Sequence, residues 1–330
     1  MPTGSTIPYH LRQNKAVERI LFEEQLSLLS PWLVGINENP IEEYRYVGFG
    51  GPFLEDFKSI HRNLNITDMI SIECDQNTLI RQKFNKPISC IEILENPMNS
   101  SEFINKDQFL KPSILWLDFV STDYDSQLND IRQATEKMSN FDIIKVTFNA
   151  NVANINGEHS DLQGSRCKAF KDSVSNEYLP RNLNPEDFIY KRFHNILLKT
   201  IENSFINGVS NKNNTTIKIL SAFVYKDGQQ MLTVTCILLP KNEIENFESN
   251  SKFGNWDFYY NNETVYDISL PSLSIRERVE IERLLPCGNI DEIKQHLGYS
   301  IGRSATDNDL LLKNFINYHS RFPWFGKISL

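Results

Sequence analysis

Short, nearly continuous apolar runs alternate with longer amphipathic stretches over the first two thirds of this chain. Tyr46 and Val47, then Met69, Ile70 and Ile72, then ISCIEIL (88–94), SILWLDFV (113–120) and FDIIKVTFNANV (141–152) form five such runs. Runs of this length and composition predict strands, and the nearly continuous SILWLDFV is typical of a strand buried on both faces. Between them, Phe53, Phe57, Ile60 and Leu64 recur at helical spacing, as do Leu128, Ile131 and Met138, and a short helix is expected from Thr78 to Phe84. Before the first strand, Val17, Ile20, Leu21, Leu26, Leu28 and Leu29 predict an amphipathic helix over 11–33 that ends near Pro31 or soon after, following a loose polar stretch over 1–10. Residues 217–240, IKILSAFVYKDGQQMLTVTCILLP, are two β-rich runs joined at Asp227–Gly228 and predict a hairpin.

Two regions depart from that rhythm. Residues 152–186 are rich in Asn, Ser, Gly, Asp and Lys, show no sustained period, and are expected to be a lid or a disordered connection. A helix is expected to resume near Glu186, with Phe188, Phe193, Ile196, Leu197, Ile201 and Phe205 in register. After Pro240 the chain turns aromatic and Asn-rich, with short strands expected around Trp256–Tyr260. Ser274 and Glu277 then make a capping box before Val279, Ile281, Leu284 and Leu285, and two more helices are expected at Asp291–Leu297 and Asp309–Tyr318. Three segments follow from this: an N-terminal helical segment (1–43), an α/β domain (44–245) and a mostly helical C-terminal extension (246–330). No internal repeat or heptad is present.

Composition narrows the functional classes. The 330 residues carry 34 basic and 42 acidic side chains, a net charge of -8, which argues against a broad nucleic-acid surface. No apolar run is long enough to span a bilayer. Five scattered cysteines without a C-x-x-C pair are expected to be reduced, mostly buried thiols of a cytoplasmic protein, with no zinc site.

The candidate chemistry gathers at the ends of the expected strands. Gly48, Phe49, Gly50 and Gly51 follow the first strand and precede a helix, so backbone can approach a ligand there. Glu73 and Asp75 stand at the end of the second strand, where a carboxylate can accept hydrogen bonds from ribose hydroxyls. Glu92 is expected at the carboxyl end of the third strand, and Asp118 interrupts the fourth at its carboxyl end, where an unpaired charge would be costly. Glycines in tight βα turns also occur without any ligand. Lys145, Asn149 and Asn151 on the fifth strand are weaker candidates for substrate contacts. Glu55 and Asp56 are expected to complement the dipole of the following helix. Arg12, Lys15 and Arg19 fit a solvated helix face better than a cationic lid over an anionic ligand. Asp118, Asp123 and Asp125 fit helix caps better than a metal site, and His159 fits a solvated loop better than a general base.

Five strands alternating with helices, then a helix and a terminal hairpin, resemble the class I S-adenosylmethionine-dependent methyltransferase fold: a doubly wound, Rossmann-like α/β sheet whose last strand runs against the others. The resemblance covers roughly residues 44–240. The LRQNKAVER stretch before the glycine turn is similar to one in bacterial proteins described as putative O-methyltransferases. The resemblance implies S-adenosyl-L-methionine as cofactor, with Gly48, Phe49, Gly50 and Gly51 under its amino-acid part, Glu73 at the ribose and Glu92 near the adenine. It implies Asp118 as the catalytic residue facing the reactive methyl, with positioning or base work as its role, and an oxygen or nitrogen acceptor. Tyr46 stands where the family usually has an acid, and Pro52 where it has a third glycine. No Asn-Pro-Pro-Tyr-like motif follows the fourth strand. Two rivals remain: a nonenzymatic scaffold with a protein partner, and a dinucleotide-binding oxidoreductase, which the hairpin disfavours.

Overall fold

The computed structural model describes residues 12–261 and 264–323; the expected loose stretch over 1–10 lies outside them. In chain order the regular elements are α1 (Gln13–Gly35), β1 (Arg45–Gly48), α2 (Glu55–Leu64), β2 (Asp68–Ser71), α3 (Gln76–Asn85), β3 (Ile91–Ile93), α4 (Ser100–Lys106), β4 (Ser113–Asp118), α5 (Tyr124–Lys137) and β5 (Ile143–Asn149). They continue as α6 (Leu162–Ser173), α7 (Phe193–Val209), β6 (Thr215–Asp227), β7 (Gln229–Pro240), α8 (Ile244–Asn250), β8 (Tyr266–Ile268), α9 (Ile275–Glu282), α10 (Ile290–Leu297) and α11 (Ala305–Tyr318).

All eight strands join one sheet in the order β3-β2-β1-β4-β5-β7-β6-β8. The first five are parallel, and β7 runs antiparallel to both β5 and β6. Side chains alternate across the sheet, so each strand feeds two cores. Val47, Leu117, Val146 and Phe148 pack with Leu128, Ile131, Ile201 and Phe205 of α5 and α7. Tyr46, Trp116 and Ile143 pack on the other face with Phe22, Leu26 and Leu29 of α1 and Phe57 and Ile60 of α2. A third cluster joins Val17 and Leu21 of α1 to Phe223 and Tyr225 of β6 and to Ile281, Ile293, Leu312 and Phe315 of the last three helices.

The hairpin forms as expected, with Asp227 paired to Gln229 and Gly228 at φ +92. That is left-handed backbone which glycine adopts without a Cβ penalty. The capping box at Ser274 and Glu277 is present too.

Residues 152–186 correct the expectation of a structureless lid. They hold the 12-residue helix α6, whose Cys167 and Phe170 are buried in the core with Val174 and Tyr178. Phe170 meets Tyr124, Phe188 and Phe193 with ring centroids 5.5–5.7 Å apart. Burying one such aromatic side chain stabilises by about 1.5–3 kcal/mol, enough to hold a helix that is polar elsewhere. Other corrections are smaller. α7 starts at Phe193 rather than near Glu186, and Asn99 with Glu102 caps the unexpected helix α4, while α1 ends at Gly35, soon after Pro31 as expected. The late strand is at Tyr266–Ile268 rather than around Trp256–Tyr260. All five cysteines are free, but only Cys167 and Cys236 are buried, while Cys74 and Cys287 are exposed.

Candidate active site

β1 ends at Gly48, level with Ser71 of β2 and Trp116 of β4. The chain then makes a short 3-10 turn, Gly51–Phe53, before α2 begins. Gly51 (φ +52) and Leu54 (φ +53) both take left-handed backbone, so the turn is sharply bent at each end. A Cβ on Gly50 would lie 2.2 Å from Leu54 Cδ2 and 2.7 Å from Ser71 Oγ, so only glycine lets the turn sit this low on the sheet. The half-buried Phe49 meets Phe119 at 6.1 Å, an edge-to-face pair bridging the ends of β1 and β4.

Glu73 lies two residues beyond β2. It is half-buried, its Oε1 accepts the Asp75 N–H at 2.8 Å, and burial raises its carboxyl above the ordinary value. The Glu73 carbonyl accepts the Met98 N–H at 2.8 Å, which ties the loops after β2 and β3 together. Asp75 itself caps α3 by accepting the Thr78 N–H at 2.7 Å. Glu92 is not at the strand end as expected: it sits in mid-strand on the edge strand β3, exposed and paired in register with Ile70, because β3 runs on to Ile93.

Asp118 is the last residue of β4, level with Thr147. The sequence left its partners unnamed. Lys15 Nζ lies 3.3 Å from Asp118 Oδ2, and Arg19 NH2 lies 3.9 Å from the same oxygen. Burial alone would raise the Asp118 carboxyl, but the two cations outweigh it and hold it below the ordinary carboxylate value. Arg19 also holds Asp56 with two donors, Nε and NH2. Burial works against the Arg19 charge, yet Asp56 keeps the guanidinium firmly protonated. Deeper under α1, Lys145 pairs with Glu18, and its ammonium lies 4.1 Å from the centroids of both Phe22 and Trp116.

Two expectations are corrected here. Lys15 and Arg19 form a buried row of ion pairs, not a solvated helix face. Lys145, a candidate for substrate contacts, lies in the interior and pairs with Glu18. Asp56 stands with Glu55 in the first turn of α2, as expected, and also accepts Arg19. The helical spacing of Lys15, Glu18, Arg19 and Phe22 (i, i+3, i+4, i+7) puts all four on the side of α1 that meets the sheet. The available sequence signal was the pair of charges, Asp118 and Lys145, inside otherwise apolar strands, since such charges need partners.

Three of the remaining candidates make hydrogen bonds within the fold. The Asn149 carbonyl accepts the Tyr124 hydroxyl at 2.8 Å, and Asn151 donates to Gln229 Oε1 at 2.6 Å. Asp125 accepts the Ser175 N–H at 2.7 Å, and His159 is exposed in a short turn. Among the described residues no group of three or more His, Cys, Asp or Glu is arranged for a metal ion, and no helix is long and apolar enough to cross a membrane. Two surface clefts lie away from these residues. One of about 440 Å³ runs along α5 and α7, and one of about 380 Å³ lies beside α1 and Trp256. Neither lining includes the glycine turn or Asp118.

The strand order, with an antiparallel β7 inserted between β5 and β6, is that of the class I S-adenosylmethionine-dependent methyltransferases. The chain belongs to the family described as "Putative O-methyltransferase", which matches residues 7–330. Among solved structures, it is similar to Trm1 from Pyrococcus horikoshii in complex with S-adenosyl-L-methionine. That match has 12% identity and a TM-score of 0.44, covering 74% of this chain and 60% of the other. A putative O-methyltransferase from Klebsiella pneumoniae matches with 11% identity and a TM-score of 0.37, covering 72% of this chain and 83% of the other. The plantazolicin methyltransferase BamL, solved with a triazolic desmethylPZN analog and SAH, matches with 9% identity and a TM-score of 0.41, covering 71% and 88%. No curated protein matches the chain in sequence.

Proposed function

We propose that this chain binds S-adenosyl-L-methionine at the carboxyl edge of β1, β2 and β4 and methylates an oxygen or nitrogen acceptor. One observation carries the reading: a glycine turn seated low on β1 packs against Ser71, two residues before a half-buried carboxylate, Glu73, in a chain of a methyltransferase family. The donor set fits the cofactor. A carboxylate suits a vicinal diol, the partly exposed Phe49 ring offers an apolar surface, and charges of both signs stand beside the turn. When bound, the cofactor supplies an electrophilic methyl group on a sulfonium.

The chain's own residues would do the rest. Gly48 to Gly51 bring backbone against the ligand, Glu73 accepts the ribose hydroxyls, and Glu92 lies outermost, at the adenine end. Asp118 is held ionised by two cations and is therefore a weak base. Its part is to place a fixed negative charge rather than to remove a proton. The free cysteines agree with a cytoplasmic setting.

Titration of the full chain with S-adenosylhomocysteine in a calorimeter tests the reading. Saturable binding in the micromolar range supports it. No heat and no thermal shift at millimolar ligand would overturn it. That result would favour a scaffold that works through a protein partner, a reading to which the buried Tyr46 lends its weight.

A further inference from the structure

The cleft of about 380 Å³ beside α1 is built on one stripe of that helix. Ile20, Glu23, Glu24 and Leu28 recur at i, i+3, i+4 and i+8, on the side of α1 turned away from the stripe of Lys15, Glu18, Arg19 and Phe22. Asn63, in the last turn of α2, and Trp256 close it. The Trp256 ring meets Phe223, Phe253 and Phe258 edge to face at 5.6–6.3 Å, and its Nε1 donates to Glu24 Oε2 at 3.2 Å. Ile20 and Leu28 are half-buried and give the cleft apolar walls. Two carboxylates line it and no basic side chain does. Glu24 is already served, because Arg321 Nε donates to its Oε1 at 2.7 Å. Glu23 is less well compensated. It is 7% exposed, and it takes its hydrogen bonds from the neutral Asn63 amide and Ser59 hydroxyl. Burial raises its carboxyl above the ordinary value, and neither those donors nor the Arg62 charge offsets that.

Elsewhere the chain fills such a box with a lysine of its own. Lys145 pairs with Glu18 against the rings of Phe22 and Trp116, and Lys218 pairs with Glu248 with its ammonium 5.3 Å from the Tyr259 centroid. The cleft has the same parts, a glutamate of α1 and a tryptophan, with no ammonium of the chain in its lining. We propose that this cleft binds an alkylammonium group, its charge beside Glu23 and the Trp256 ring and its carbon stem along Ile20 and Leu28. The carboxylate offers a charge-assisted hydrogen bond, the electron-rich face of an indole attracts a cation, and the aliphatic walls cover the stem. A neutral or anionic ligand of the same shape would leave the Glu23 charge as it is. The volume suits a small amine or a single lysine side chain. The cleft shares no residue with the glycine turn, Glu73 or Asp118, so this proposal stands apart from the cofactor reading.

Titration of the full chain with n-butylammonium, 1-butanol and Nα-acetyl-lysine methylamide, followed by NMR at the Trp256 indole N–H, tests the proposal. Trp256→Phe identifies that signal by its loss. n-Butylammonium is expected to shift it saturably in the millimolar range, with 1-butanol at least roughly tenfold weaker, because a charge-assisted contact separates the two. Glu23→Gln keeps the shape and removes the charge, and should weaken n-butylammonium by roughly tenfold. The lysine derivative separates two sources of the same group. Binding roughly tenfold tighter than that of n-butylammonium supports a lysine of a partner protein as the occupant, and equal or weaker binding supports a free amine. Absence of any saturable shift, or equal affinity for n-butylammonium and 1-butanol, would overturn the proposal. So would undiminished binding in a cooperatively melting Glu23→Gln protein. If that variant fails to fold, the wild-type comparison of amine and alcohol decides alone.

Discussion

Glu18 on α1 and Lys145 in the middle of β5 form an ion pair with side chains 1% and 0% exposed. Lys145 loses solvation on burial, which lowers its pKa, and Glu18 is its compensating charge. Removing one partner should therefore cost more than removing both. Lys145→Met is expected to lower unfolding free energy by about 3–5 kcal/mol, and the pair Glu18→Gln with Lys145→Met by clearly less. Urea denaturation of the three proteins checks this. A single variant as stable as the double would show that the two charges do not depend on each other.

Glu73 is accessible to a different measurement. Its carboxylate is expected to accept ribose hydroxyls, each charge-assisted bond being worth about 1.5–3 kcal/mol. Glu73→Ala should weaken S-adenosylhomocysteine binding by roughly one to two orders of magnitude. Glu73→Gln should lie between, because an amide can still accept a bond. The melting transition should hardly move in either variant. Unchanged affinity in a cooperatively melting Glu73→Ala protein would place the ribose elsewhere.

Hydrogen exchange bears on α6. Because Cys167 and Phe170 are buried in the main core, amides in the second half of α6 are expected to exchange far more slowly than those of the exposed turn His159–Asp161. Protection should be similar with and without ligand. Fast exchange through the whole of α6, slowed only by ligand, would restore the lid that the composition suggests.

Asp142 gives a pH dependence with a definite sign. Burial pushes its carboxyl up to about 7, although the Ser113 and Ser139 N–H groups, both at 2.7 Å, pull the other way. A carboxyl with a raised pKa binds its proton more tightly in the folded state. Its stabilising contribution is full below the ordinary value of 3.8 and is lost as pH rises through about 7. The stability difference between wild type and Asp142→Asn should thus shift against the wild type across that window and level off above it. A difference that stays flat from pH 4 to pH 8, followed by denaturant titration, would show that the two N–H donors win.

The sheet was legible in the sequence because buried parallel strands are short unbroken apolar runs, and the Asp227–Gly228 turn marks the hairpin locally. The glycine turn and Glu73 could be read for the same reason, as they sit where the pattern changes from strand to helix. α6 was not legible, since only Cys167 and Phe170 are buried within it and the rest of the helix is polar. The row under α1 was hidden by a different cause. A stripe of Lys15, Glu18 and Arg19 has the composition of a solvated face, and only partners distant in sequence, Asp56, Asp118 and Lys145, turn it inward. Tertiary ion pairing of this kind leaves no local signature, beyond the unexplained charge at each far end.

β8 is three residues long and pairs with Phe223, Val224 and Tyr225 of the 13-residue strand β6. Just before it, the Tyr260 N–H donates to the Leu220 carbonyl at 2.9 Å. These few bonds occupy an edge that would otherwise offer a long row of unpaired backbone groups to a second chain. A protein cut after Pro240 would keep the glycine turn, Glu73 and Asp118, yet present that edge bare. Its first defect should be strand-to-strand self-association, visible as growing particle size in light scattering before any ligand is added. The C-terminal quarter would then act as a guard against aggregation as well as a support for α1.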